Sequence, residues 1–366
     1  MDDIGFLEEL ISIPSLSGHE DALARYLTAR MEELGFRAYI DPVGNAVGVI
    51  GGRDARRTVV LIGHMDTVPG VVPIERRGHL LFGRGTVDAK GPLATLVLAA
   101  ARAASSLKET QLVVVGTVEE EATCRGARYL LDSMDPPTNA IVGEPSGWEG
   151  ITIGYKGVLG VEYLLDQAAG HGANGQPTPA EQAVVFWNRL RSLTDAHNAG
   201  ITRRFDALDP ALDSVCTSSD GLLDRVTMSI SCRTPPGFET TGLWREMLAW
   251  APPASLRMRS QEAAVEGDKN NELVRALLRA IRAEGGSPRF KLKTGTSDMN
   301  VLYPAWGCPM VAYGPGESSL DHTPEEHLDL EQFRRGVSVL TRALEVLCAQ
   351  AVRRRHGRGR LCSAPE

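Results

Sequence analysis

The sequence lacks the features that would place it in several large classes of protein. Its six cysteines form no C-x-x-C pair, which argues against a zinc ribbon and a disulfide framework and suits a reducing compartment. No apolar run reaches transmembrane length without a charge, and the acidic N-terminus lacks the basic start of a signal peptide. The net charge of -7 gives no reason to expect nucleic-acid binding. These absences predict a cytoplasmic enzyme that acts on neither nucleic acid nor membranes.

Length and composition predict two folded units. At 366 residues the chain is too long for one ordinary hydrophobic core, and 43% hydrophobic with 23% charged residues is typical of a globular enzyme. We predict an α/β fold, with a mostly parallel sheet flanked by helices, and a smaller inserted α+β domain. The catalytic domain is predicted at 1–154 and 266–350, the inserted lid or dimerisation domain at 155–265, and a disordered basic tail at 353–366.

Periodicity and turn residues assign most of the chain to regular elements. A polar, Gly-centred loop is predicted over 293–300, and residues 151–166 are predicted to be strand. Helices are predicted at 2–11, 19–34, 93–104, 271–284 and 325–352, and after the capping box of Thr178 and Glu181. Other strands are predicted at 37–40, 46–50, 58–62, 111–118, 139–142, 225–233, near 255–265, and at 310–313.

The stretch from Gly63 to Gly70 is the first to carry chemistry. It follows the apolar strand 58–62, so His64 and Asp66 lie where a core strand ends, and ligands bind there in open α/β sheets. Asp66 can reach the free ring nitrogen of His64, which is the usual support of a metal-bound histidine. Taken alone, these residues also fit a polar loop with a surface histidine and a capping aspartate.

Carboxylates lie at the ends of three further elements. Asp88 lies in a Gly-rich loop at the entry to a buried helix, where it could also be an N-cap. Glu119–Glu121 follow the strand 111–118. A cation or a shared proton would relieve the repulsion between their carboxylates, although a solvated acidic loop is the alternative. Glu144 ends the strand 139–142. Four such placements favour one shared site over four unrelated loops.

Imidazoles and carboxylates without thiolates suit zinc, cobalt or manganese in a hydrolytic role. A two-metal site needs one bridging carboxylate and two terminal ligands for each ion. Glu120 is not needed in the ligand set given below, so its carboxylate can take a proton from water and pass it to a leaving amine. This predicts hydrolysis of an amide or related bond. The ligands that meet this count are Asp88 as the bridge, His64 and Glu144 on one ion, and Glu121 and His322 on the other.

Six motifs, in this order, resemble the zinc aminoacylase superfamily, which includes acetylornithine deacetylase, succinyl-diaminopimelate desuccinylase and carboxypeptidase G-type enzymes. The resemblance covers about residues 5–350. It implies the ligand set above, two Zn²⁺ (or Co²⁺) ions, Glu120 as general base, Asp66 as the partner of His64, and an inserted ferredoxin-like domain that usually forms a dimer. The motifs are GHMDTVP at His64, GRGxxDxKG at Asp88, Glu120-Glu121 before Gly126, GEP at Glu144, GTSD ending at Asp298, and HxxE at His322.

A narrower set of motifs resembles the hydrolases that release lysine, and in some lineages ornithine, from the amino-group carrier protein LysW. They run from Gly143 to Gly157, from Lys293 to Asn300, and from Tyr313 to Pro324. The resemblance implies cleavage of the amide between the carrier's terminal glutamate γ-carboxyl and the α-amine of the product. That reaction ends lysine biosynthesis by the α-aminoadipate route and, with ornithine, implies a role in arginine biosynthesis.

The same resemblance implies substrate-binding residues. His171 resembles the inserted-domain histidine that reaches across the dimer to the scissile carbonyl, although Gly170-His171-Gly172-Ala173 departs from the commoner Ala-His-x-Ser pattern. Arg233 ends its strand where the family places an arginine that grips a substrate carboxylate, for which a bidentate guanidinium is apt. Thr296 and Ser297 could donate hydrogen bonds to the same group.

Two other functions stay open at this point. A non-catalytic metal-dependent binding module would share the fold, but the presence of Glu120 argues against it. A small-molecule deacylase of acetylornithine, acetyllysine or succinyl-diaminopimelate would share the chemistry. A carrier substrate instead needs a basic surface near the site, for which Arg125, Arg128 and Lys156 are candidates.

Overall fold

The computed structural model describes residues 2–52, 54–170 and 175–349. None of the helices in these ranges is both long enough and apolar enough to cross a membrane. The helices are α1 (Asp3–Ser12), α2 (Asp21–Glu33), α3 (Lys90–Ala103), α4 (Arg125–Ser133), α5 (Pro179–His197), α6 (Thr240–Trp250), α7 (Glu272–Ala283), α8 (Asp298–Trp306) and α9 (Leu330–Ala349). The strands are β1 (Arg37–Ile40), β2 (Ala46–Ile50), β3 (Arg57–His64), β4 (Glu75–Arg77), β5 (Leu80–Phe82), β6 (Thr110–Thr117), β7 (Asn139–Val142), β8 (Gly150–Tyr155), β9 (Gly157–Ala168), β10 (Asp209–Ser219), β11 (Leu223–Thr234), β12 (Ser255–Glu262), β13 (Val265–Glu266), β14 (Arg289–Lys293), β15 (Met310–Ala312) and β16 (His327–Asp329).

The larger sheet has the strand order β1-β2-β6-β3-β7-β15-β8-β13, and β14 pairs with β8. Its central strands β6, β3, β7 and β15 are parallel neighbours. β1 and β13 run in the same direction as these four, whereas β2, β8 and β14 run in the opposite direction. The sheet is therefore mostly parallel, as predicted.

Helices cover both faces of this sheet. Val59 and Leu61 of β3 share a core with α1, α2, α3, α7 and α9, and Val60 and Ile62 share a core with α4 and α8. A strand that is buried on both faces has an unbroken apolar sequence, which is the pattern that predicted it. This buried strand ends at His64.

A second, antiparallel sheet has the order β10-β11-β9-β12. The chain order β9, α5, β10, β11, α6, β12 is the ferredoxin-like βαββαβ arrangement, so the fold class is as predicted. The domain boundaries stay a prediction, and the basic tail lies outside the described residues. One face of β11 packs against α5 and α6, through Val226, Met228, Ile230 and Cys232.

Three predicted elements differ from the structure for local reasons. The last helix begins at Leu330 rather than at 325, because His327–Asp329 forms a strand that pairs with β5 in a small third sheet. The predicted loop 293–300 is helical from Asp298, because Ser297 and Asn300 form a capping box. The predicted strand 151–166 is two strands separated by Lys156.

Candidate active site

The candidate ligands lie at one edge of the larger sheet. His64 is the last residue of β3, and Asp88 lies in the loop before α3. Glu120 and Glu121 follow β6, and Glu144 follows β7. Because β6, β3 and β7 are parallel neighbours, their carboxyl ends meet at the edge where open α/β sheets bind ligands.

Asp88 lies between the two candidate histidines. Its Oδ1 is 3.1 Å from Nε2 of His64, and its Oδ2 is 3.0 Å from Nε2 of His322. Nε2 of His322 is also 2.8 Å from Oε1 of Glu121. Ligand atoms of His64, Asp88 and Glu121 lie within 4.8 Å of one another, so this group could hold a metal ion. The two oxygens of one carboxylate thus face two separate imidazoles.

Asp66 supports this site through hydrogen bonds to the backbone of its two glutamates. It is fully buried, and its Oδ1 and Oδ2 accept hydrogen bonds from the backbone N–H groups of Glu120 (3.0 Å) and Glu121 (3.1 Å). The hydroxyl of Ser17 donates to the same carboxylate at 2.7 Å. Nδ1 of His64 is 2.9 Å from the carbonyl oxygen of Asp66 and 3.5 Å from its Oδ1. Asp66 therefore holds His64 mainly through its backbone, and its carboxylate positions the two glutamates.

Glu326 is a supporting residue that the sequence patterns did not single out. It is fully buried, and its Oε1 accepts hydrogen bonds from the backbone N–H groups of Val87 (3.0 Å) and Asp88 (3.2 Å). Its Oε2 is 2.7 Å from Nη1 of Arg84, which compensates the buried charge. Glu326 thus fixes the backbone of the loop that carries Asp88.

Burial and mutual repulsion control the protonation of these carboxyl groups. Burial, together with the nearby Glu144 carboxylate, raises the pKa of Glu120 well above its ordinary value, although His64 acts in the opposite direction. Burial raises the pKa of Glu144 to about 8, although Lys293 opposes the shift. Burial disfavours the ionised form of Asp88 as well, but the hydrogen bonds from the two histidines outweigh it and lower the pKa of Asp88. A bound cation is the kind of partner that relieves such a cluster.

A cavity of about 970 Å³ opens in front of these residues and is lined from both sheets. Arg233 and Thr296 both line it, and Nη1 of Arg233 donates to Oγ1 of Thr296 at 3.1 Å. Ser297 is buried, and its Oγ accepts the N–H of Met299 as the cap of α8. His171 lies outside the described residues. The substrate-binding roles of these residues stay predictions.

Other charged residues, which the sequence patterns did not single out, also line the cavity. Asp213 and Arg259 each lie at an irregularity of an edge strand, where a bulge turns a side chain out of the regular alternation. Asp321 adjoins His322, and its buried Oδ1 has no hydrogen-bond partner in the described part of the chain. Lys293 ends β14. Lys293 and Asp321 lie within two of the recognised motifs, Lys293 to Asn300 and Tyr313 to Pro324, and those motifs are the signal that could have found them. A bulge, in contrast, cannot be read from sequence periodicity.

One of the three basic residues considered for a carrier surface is not on the surface. Lys156 is fully buried, and its Nζ donates to Oδ2 of Asp209 at 2.6 Å. Arg125 and Arg128 are exposed, but each pairs with a nearby glutamate. The expectation for Lys156 was wrong because the side chain is buried, where its Nζ donates to the carbonyl oxygen of Arg204 and an ion pair with Asp209 compensates its charge.

We expect Lys156→Met to lower the free energy of unfolding by roughly 3 kcal/mol, because Asp209 then loses its cation. This is the low end of the range for a broken buried pair, since the Asp209 side chain is 34% exposed and can be hydrated. Urea unfolding beside the wild type measures the loss. The control is Arg257→Met, whose exposed pair with Glu162 spans 3.9 Å and should change stability by less than about 0.5 kcal/mol. Equal losses in the two variants would contradict the prediction.

Comparison with known proteins identifies one family and one relative that each match most of the chain. The model of peptidase family M20/M25/M40 matches residues 60–346. A LysW-lysine hydrolase of Deinococcus radiodurans is 42% identical over 350 residues, which cover 92% of this chain and 95% of the relative.

Solved structures share the fold at low sequence identity. The M20 family metallo-carboxypeptidase Sso-CP2 from Sulfolobus solfataricus matches with a TM-score of 0.79 and 18% identity, covering 96% of this chain and 100% of that chain. The YXEP protein of Bacillus subtilis, described as a dinuclear metal binding peptidase from the M20 family, matches with a TM-score of 0.68 and 14% identity, covering 94% and 97%. At these identities the likeness concerns the fold alone.

Proposed function

The chain belongs to peptidase family M20/M25/M40, and on that premise we propose that it is a two-metal amide hydrolase that releases lysine from the amino-group carrier protein LysW. The observation that carries the proposal is the Asp88 carboxylate, whose two oxygens face His64 and His322 next to Glu120. The substrate is proposed from the Deinococcus relative, which is 42% identical. We propose ornithine as a second product and the cytoplasm as the compartment.

Two divalent ions, Zn²⁺ or Co²⁺, are the proposed cofactors. Imidazole nitrogens and carboxylate oxygens suit both ions, and the buried carboxylates need a positive charge. When bound, the ions would polarise the amide carbonyl and make water more acidic. Ligand atoms of His64, Asp88 and Glu121 lie within 4.8 Å of one another, which supports a metal centre at this place. The proposed ligands are Asp88 between the ions, His64 and Glu144 at one, and Glu121 and His322 at the other.

Glu120 is the proposed general base and acid. Its backbone N–H is held by Asp66 at 3.0 Å, so the side chain is kept at the cavity wall. Burial and the neighbouring Glu144 carboxylate raise its pKa, which suits a group that takes a proton from water and returns it to the leaving amine. Arg233, whose guanidinium is oriented by Thr296, is proposed to bind the carboxylate of the released amino acid.

Asp213 is the proposed partner for the side-chain ammonium of lysine or ornithine. It lines the cavity, and its Oδ1 accepts a hydrogen bond from Ser231 at 3.1 Å. Ser231 and Arg233 are two residues apart on β11, so they share one face of the sheet. The carboxylate and the ammonium of one basic amino acid could therefore be bound from this face.

A parallel release assay tests the proposed function. The zinc- or cobalt-loaded enzyme is offered lysyl-LysW, ornithyl-LysW, Nα-acetyl-lysine and Nα-acetyl-ornithine. Rapid release from the carrier conjugates with slow deacetylation is the expected result. Faster deacetylation would instead make the protein a small-molecule deacylase. No turnover of any substrate at full metal content would make it a metal-dependent binding module.

We also propose that residues 155–265 form a lid and dimerisation domain. In the described part of the chain, β10 pairs on one side only, with β11, and its edge exposes Val215 (46%). Val184 and Val185 of α5, which packs beside this strand, are exposed by 56% and 68%. An exposed edge strand with apolar side chains beside an apolar helix face is suited to pairing with a second copy of itself.

Val215→Lys combined with Val185→Lys is expected to convert the dimer into monomers, because two charges would then meet their symmetry mates. Sedimentation velocity measures the mass. Val346→Lys, at a half-exposed position of α9 (36% exposed), is the control and should remain dimeric. A monomeric wild type, or a dimer that survives the double substitution, would exclude this interface.

A further inference from the structure

Lys293 is a cation at the cavity wall whose one ion pair among the described residues, with Glu144, is long. Its side chain is 13% exposed, and its Nζ is 4.0 Å from Oε2 of Glu144, which is too long for a hydrogen bond. Among the described residues, its ammonium group donates no hydrogen bond and has no nearer carboxylate, and the ring of Tyr155 lies 5.7 Å from it. A half-buried ammonium of this kind is stabilised when an anion enters the cavity.

A second cation enters the same cavity from the other sheet. Arg233 is on β11, and its guanidinium donates to Thr296, three residues after Lys293. Asp213 and Glu120 are near enough to act on the Arg233 charge, but within the described ranges neither forms an ion pair with it at 4 Å or less. Two cations that no carboxylate of the described residues approaches closer than 4.0 Å thus line one cavity beside the candidate catalytic residues.

Resting on the proposed function, we propose that Lys293 binds a second substrate carboxylate, one carried by the acyl group, while Arg233 binds that of the released amino acid. An amide with a carboxylate on each side of the scissile bond places one anion near each cation. A γ-glutamyl or glutaryl acyl group carries such a carboxylate, and an acetyl group does not. Lys293 is then the residue that selects dicarboxylate amides over simple N-acetyl amino acids.

The alternative role for Lys293 is a structural counterion of Glu144. The 4.0 Å separation supports that role weakly, since a buried ion pair needs close contact to offset its desolvation. The two roles differ in what they predict. A counterion of a candidate metal ligand affects every substrate equally and changes the metal content. A carboxylate-binding residue changes the preference between substrates.

Two matched substrates test the inference. Nα-glutaryl-lysine and Nα-pentanoyl-lysine have acyl chains of the same length and differ in one terminal carboxylate. The wild type is expected to prefer the glutaryl compound, and Lys293→Gln is expected to lower the ratio of the two kcat/KM values roughly 10–100-fold, as for the loss of a charged hydrogen bond. Lys291→Gln makes the same charge change on the same strand and lies outside this cavity, so its ratio should match the wild type.

Each outcome decides the inference. A ratio that Lys293→Gln leaves unchanged overturns it, as does an equal loss for both substrates accompanied by lost metal. If neither compound is hydrolysed, their inhibition constants against lysyl-LysW, or against Nα-acetyl-lysine if that is the better substrate, are compared in the same way. Failure of the wild type to release lysine from the carrier would overturn the proposed function, and the ratio would still show whether Lys293 binds the acyl carboxylate.

Discussion

Glu120→Gln is expected to lower kcat roughly 10²–10⁴-fold while both metal ions stay bound. The substitution keeps the size of the side chain and removes its ability to carry a proton between water and the amine. Asp66 holds residue 120 through its backbone N–H, at 3.0 Å, so the amide side chain would start from the same place. Single-turnover release of lysine, combined with metal analysis of the same sample, separates lost proton transfer from lost metal.

Glu119→Gln is the matched control for this substitution. Glu119 is the adjacent carboxylate in the sequence, but its side chain pairs with Arg125 at 2.8 Å and accepts from Thr123. Its loss should change stability slightly and leave kcat near the wild-type value. Full activity in Glu120→Gln would remove Glu120 as the proton carrier. Equal losses in both variants would point to a general disturbance of the acidic loop.

Elements with a local cause were predictable from the sequence. The strand 58–62 was readable because burial on both faces leaves an unbroken apolar run, and α5 because Thr178 and Glu181 form a capping box. Elements decided by distant contacts were not. His327–Asp329 looked helical, yet it pairs with β5, which lies more than 240 residues earlier in the chain.

The same division applies to the site. Residues at or shortly after the ends of apolar strands, such as His64, Glu121 and Glu144, could be predicted to meet, because parallel strands bring their carboxyl ends together. Glu326 could not, because its role depends on the backbone of Asp88, 238 residues away. Lys156 was misread for a related reason: its charge is compensated by Asp209, which no local pattern indicates.

Asp88→Ala is expected to remove both metal ions, because this side chain is the one proposed to contact both. Its Oδ1 faces His64 at 3.1 Å and its Oδ2 faces His322 at 3.0 Å. Each ion would therefore lose a ligand, and the pair of ions would lose the negative charge that they share. Glu144→Ala is the comparison, since Glu144 is assigned to one ion and should leave the other in place. Metal content after dialysis is the measurement, with two ions expected for the wild type.

The loop around residue 88 should keep its shape in this variant, which makes the metal count interpretable. Glu326 holds the backbone N–H groups of Val87 and Asp88, and neither bond involves the Asp88 side chain. A circular dichroism spectrum like that of the metal-free wild type would show that the fold is intact. Retention of two ions by Asp88→Ala would exclude a bridging carboxylate. One retained ion in Asp88→Ala, as in Glu144→Ala, would place Asp88 at a single metal ion. Glu120 would then act beside two ions that are held separately.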